Sequence, residues 1–164
     1  MNAIELLVRE LNGSAEWLKM TLADFTDADL MTRPAPAANH PMWQLGHLCA
    51  GEVMMMSMIK PGIMPELPAG FVEKFDKKTA GIDDAKQFGA TKQQLLDLLT
   101  RIRGATVGFV KTLRPEDLDA PAPEKMRSFC PTVGDLIALQ SSHIAMHMGQ
   151  MQVARRKLGK PVLF

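Results

Sequence analysis

"KPGIMPELPAGFVEKFDKKTAGIDDAKQFGA", residues 60–90, decides how the rest of the chain can be arranged. Pro, Gly, Asp and Lys dominate it, and only 71 to 80 carry a weak helical pattern, so it reads as a connector. Before it, Ile4, Leu7, Val8, Leu11, Ala15, Leu18, Leu22 and Phe25 recur at three- and four-residue steps, which predicts a core-facing helix from residue 2 to about 25. Prolines in "RPAPAANHP", 33–41, end that pattern. A second helix is then expected to about Ile59, with Asn39 as cap and Pro41 in its first turn.

Beyond the connector, Thr91 and Gln94 form a capping-box signature ahead of a third stripe through Leu95, Leu98, Leu99, Ile102, Thr106, Phe109 and Leu113. A second break, "RPEDLDAPAPEKMRSFCP", leads to Thr132 and Asp135, the same signature, and a fourth helix to about Leu158 with Gly159 and Pro161 as stops. No stretch reads as a strand. The sequence therefore predicts an all-α chain, one four-helix-bundle domain over 1–164. A short loop would force the second and third helices antiparallel. About 30 residues can run back along a helix roughly 30 Å long, so the expected order is up-down-down-up, with a long crossover between helices 2 and 3.

Bulk properties narrow the function. A chain of 164 residues buries enough surface to fold unaided. Nineteen basic and eighteen acidic residues, interspersed, give a net charge of +1, which predicts no nucleic-acid partner. The one basic cluster, "RRKLGK" at 155–160, suits the dipole at a helix end. No apolar run approaches the roughly 18 residues of a membrane span. Two cysteines, Cys49 and Cys130, and an N-terminal stretch unlike a signal peptide suit a reduced, cytoplasmic protein.

Chemistry points to three of the four histidines. In "SSHIAMHMGQ", 141–150, His143 and His147 stand one turn apart on the stripe that also holds Leu136, Leu139, Gln140, Gln150 and Ala154. On the second helix, the same arithmetic groups His47 with Trp43, Gln44, Gly51, Met54 and Met58. Three inward imidazoles are costly without partners. Either they find polar neighbours in the core, or they are ligands to one metal ion with an open coordination position. The residues alone leave both readings open.

"NHPMWQLGHL" at 39–48, "PTVGDLIALQSSHIAMHMGQMQVARRKLGKPVLF" at 131–164 and the length resemble the DinB/YfiT-like superfamily of metalloenzymes. That resemblance implies a four-helix bundle in which His47, His143 and His147 bind a divalent ion, nickel or zinc. It also implies thiol-dependent chemistry on small electrophiles, with bacillithiol, mycothiol or glutathione as the class of thiol, and small molecules as the partners. The alternative is a metal-stabilised bundle without catalysis, a dimer with a stress-response role. A homodimer is the default assembly in either case.

Other residues fill out the expected pocket. Gln150, three residues after His147, is expected near the ion as a supporting hydrogen bond or in an interhelical one. Met54 is expected to line an apolar pocket beside it or a dimer seam. Trp43 reads as a core anchor, with a substrate platform as the other reading. His40 is expected at the helix start as a cap or pocket rim, and Arg127 as a solvated loop charge that could receive a carboxylate. No catalytic side chain is assigned, and Cys49, two residues from His47, points away from it.

Overall fold

The computed structural model describes residues 1–163; Phe164 lies outside the described residues. Four long helices carry the fold: α1 (Ala3–Leu22), α2 (Pro41–Ile59), α4 (Lys92–Val110) and α5 (Val133–Lys157), with a single turn, α3 (Phe71–Lys74), inside the connector. The described residues contain no strand, only an isolated bridge between Pro121 and Thr132 ahead of α5.

The helix starts follow from local side-chain chemistry. Asn2 with Glu5, Thr91 with Gln94 and Thr132 with Asp135 form reciprocal capping boxes. The expected cap of α2, Asn39, is displaced by His40, whose Nδ1 accepts from the Trp43 backbone N–H at 3.0 Å. An imidazole nitrogen one residue closer to Pro41 does the work of a capping oxygen. Phe25, expected at the end of the first helix, lies beyond it but is still buried.

Cross-helix contacts give the directions. Cys49 Sγ meets the Leu95 carbonyl at 3.7 Å, and farther along α2 Glu52 meets Arg103 at 3.0 Å and Thr106 at 2.7 Å. Residue numbers rise together, so α2 and α4 are parallel. Against α5 they run oppositely: Gln44 meets His147 and Gln140 meets Met55. α1 runs with α5, since Arg9 to Trp17 share a cleft with Ser141 to Met148 while Thr21 meets Gln152 and Arg155. Each of α1 and α2 packs mainly on α4 and α5. The order is up-down-down-up, as the long crossover allows.

That crossover is part of the core. Phe71, Phe75 and Phe88 are buried and stack with centroids 4.7 and 5.5 Å apart. Burial of each contributes about 1.5–3 kcal/mol. Phe75 lies so close to α2 that a Cβ on Gly46 would come within 2.2 Å of its ring. Gly46 therefore lets the connector dock one residue before His47. No described helix is long and apolar enough to cross a membrane.

Candidate metal centre

α2 contributes one histidine and α5 two. One ligand nitrogen from each of His47, His143 and His147 lies within 4.8 Å of the others. The rings meet at 5.1 Å for His47 and His143, 5.4 Å for His47 and His147 and 4.8 Å for His143 and His147, mostly edge-on. His143 Nε2 and His147 Nε2 are 3.1 Å apart. Two nitrogens about 2.05 Å from one ion lie about 2.9–3.3 Å apart at ligand angles between the square and tetrahedral values, so this pair fits a shared ion without rearrangement.

Protonation also suits ligation, because a metal binds the neutral ring. Burial, reinforced by His47, pushes His143 down to about 4. Burial, with His143 and His47 adding repulsion, pushes His147 down to about 3. His47 is lowered by burial and then by Lys77, against an opposing interaction with the Phe75 backbone. Burial thus favours the uncharged rings.

Gln44 orients the cluster. Its Nε2 donates to the Asn39 carbonyl, which turns Oε1 toward His147 Nδ1 at 3.1 Å. An oxygen there requires the proton on Nδ1, and the lone pair of His147 Nε2 then points at His143. On the other side, Trp43 stacks on His47 at 4.6 Å and 10°. Its indole N–H donates to the Asp76 carbonyl at 3.0 Å and to Thr79 Oγ1 at 3.1 Å, tying the connector over the histidine. Trp43 is both a core anchor and a wall of the site. Gly51 admits the His143 ring, which would lie 3.6 Å from a Cβ there.

The remaining expected residues lie elsewhere. His40 is fully buried, with one nitrogen capping α2 and the other 2.9 Å from the Ile82 carbonyl, so neither is left for a metal. Gln150 and Met54 are exposed, Met54 at 52%. The contact line between α2 and α5 follows Gln44, His47, Gly51 and Met55 against His147, His143 and Gln140, a three- and four-residue progression that leaves Met54 and Gln150 off the seam. Arg127 donates twice to the Ala122 carbonyl at 3.2 Å, bracing its own loop. Both cysteines are free and buried.

Sequence reasoning missed two features. Gln44 was on the right helical face, three residues before His47, and that spacing was the available signal. The other is a buried pair, Glu52 and Arg103, with Thr106 donating to Glu52 and Arg103 to the Gln140 carbonyl at 3.2 Å. Burial works against both charges, raising Glu52 and lowering Arg103, and their attraction offsets it. A lone Glu in "GEVMMMSM" was its only trace.

The sequence model of the DinB superfamily matches residues 10–151. No curated protein matches the chain. Among solved structures, a conserved protein from Enterococcus faecalis is similar at 22% identity and a TM-score of 0.72, covering 98% of this chain and 99% of that one. Bacillus subtilis YfiT, described as "a probable metal-dependent hydrolase with an unusual four-helix bundle topology", is similar at 15% identity and a TM-score of 0.65, covering 96% and 89%. At these identities the likeness speaks to the fold.

Proposed function

The chain belongs to the DinB superfamily, and from that premise we propose that it is a divalent-metal-dependent enzyme that transfers a small thiol to an electrophile, with His47, His143 and His147 holding a zinc or nickel ion. The observation that carries the metal is the convergence of three neutral imidazoles on one point without a protein donor set to satisfy them all. When bound, such an ion lowers the pKa of a coordinated thiol and supplies a thiolate at neutral pH. The chain's own part is positional. Gln44 keeps the proton of His147 on Nδ1, Trp43 fixes the plane of His47, and three ligands leave a place for a substrate atom. The thiolate sulfur then forms the new bond to carbon as the leaving group departs with the bonding pair.

A second reading is hydrolysis, the activity in YfiT's description, with water in place of the thiol. A homodimer goes with either; the α1–α5 cleft, where Trp17 and Met148 stand among Arg9, Glu10 and three serines, is the surface that supports it. The test uses protein purified without a metal-binding tag and loaded with zinc or nickel. It is assayed with bacillithiol, mycothiol and glutathione against monobromobimane, and with an activated ester. We expect metal-dependent turnover with at least one thiol, abolished in His143→Ala along with uptake of about one ion per chain. Ester cleavage alone selects the hydrolase, and a loaded protein without either activity leaves the non-catalytic metal-stabilised bundle. A wild type that takes up no ion overturns the metal centre.

A further inference from the structure

A second recess, sharing no residue with the histidine cluster, lies between the connector and α4. Its volume is about 480 Å³, within the range of small-molecule sites. Phe71, Phe88, Leu95 and Leu98, all buried, make an apolar floor, and Lys74, Arg101 and Asp97 also line it. Both cations are exposed, and neither has a hydrogen-bond or ion-pair partner among the described residues.

That lack of partners is specific to the place. Asp97 precedes Arg101 by one turn, a spacing that commonly pairs on a helix. Its carboxylate instead accepts from the Gln93 amide at 2.8 Å, leaving the guanidinium over the recess. Gly89, at φ +58°, brings the chain so close to Lys74 that a Cβ there would lie 3.3 Å from Nζ. The glycine lets the ammonium rest at the mouth. An apolar floor beneath two cations and one carboxylate, Asp97, which is already engaged by Gln93, keeps a net positive charge and is complementary to an apolar body ending in a negative charge.

We propose that this recess binds a small anionic amphiphile, a carboxylate on an apolar tail, with the tail on Phe71, Phe88, Leu95 and Leu98 and the head between Lys74 and Arg101. The site does not depend on the metal centre. The test is an amide-resonance titration of the full chain with octanoate, octanol and acetate. Octanoate is expected to shift Ala69, Gly89, Ala90 and Leu98 saturably, with octanol and acetate each binding about tenfold more weakly or worse. Lys74→Ala/Arg101→Ala, at two exposed positions, should weaken octanoate by about tenfold and leave metal uptake unchanged. Ala90→Trp, which fills the recess, should abolish the shifts, and the double variant carries the test if that protein does not fold. Octanoate shifts elsewhere or none, equal binding of octanol or acetate, or unchanged affinity in the double variant overturns the proposal.

Discussion

α2 makes two polar seams, and they are built on opposite terms. Toward α4, Glu52 and Arg103 sit 3.0 Å apart, almost fully buried, with Thr106 and the Gln140 carbonyl taking further valences. Toward α5, three imidazoles converge, and outside the cluster His147 meets the Gln44 side chain while His47 meets only the Phe75 backbone among the described residues. In the first seam each charge is answered by its opposite, although Arg103 Nε and Nη1 are buried without a hydrogen-bond partner among the described residues. The second gathers like groups, which repel when protonated and, when neutral, answer one another only through the His143–His147 hydrogen bond. A charge-paired seam holds helices; a convergent one is arranged for something that answers lone pairs.

The largest effect should come from opening the charge-paired seam. Arg103→Met leaves Glu52 buried without a counter-charge and should cost about 3–5 kcal/mol of unfolding free energy in urea. Glu52→Met/Arg103→Met should recover most of that loss, since well-packed apolar residues replace a buried pair at little cost. If the double variant is no better than the single, the pair does not act as a unit. Neither variant should abolish the metal uptake proposed for the histidine cluster.

A smaller effect tests what holds the convergent seam. Gln44→Leu removes the oxygen that keeps His147 in its tautomer, and metal affinity measured by competition with a chelator should fall about 10- to 100-fold. Gln44→Glu keeps an acceptor there and should retain most of the affinity. Equal loss in both would reduce Gln44 to a packing residue.

The smallest effect, below about 1.4 kcal/mol per pH unit for each ring, is in the acid response of the metal-free protein. Unfolded histidines titrate near 6.5, whereas folded His143 and His147 do so at about 4 and about 3. Below 6.5 the unfolded chain takes up protons first, so stability should fall as pH drops through this window. Asp24, held low by Arg155, and Asp29, held low by the Thr26 backbone, act only below 3.8. Urea midpoints at pH 7 and 5 in chelator should therefore differ less in His143→Gln than in the wild type. An identical difference would mean that the cluster is not what resists protonation.

The histidines were legible because helical phase needs only the number of residues between two positions. His47, His143 and His147 could be turned inward without knowing how α2 and α5 cross. Gln44, Met54 and Gln150 could not be sorted that way, since which of them meets the partner helix depends on the line along which the two helices touch. The direction of α4 was legible from the connector's length, but its packing was not. Phe71, Phe75 and Phe88 lie in a stretch whose Pro, Gly and Lys content reads as loop, and their stacking is a contact among residues without regular spacing. Glu52 and Arg103 illustrate the same limit, because a buried pair is defined by a register between helices that neither helix states.

The up-down-down-up order has a mechanical consequence. α1 and α5 are neighbours running the same way, so Ala3 and Lys157 stand at opposite ends of the bundle. A force drawn between those two residues slides α1 and α5 past each other along their whole seam. A simple up-down-up-down bundle, with both ends on one side, would be peeled open turn by turn. In this chain the load is shared by every contact between the two helices at once, from the Arg9–Met148 cleft to the ion pair of Arg155 with Asp24.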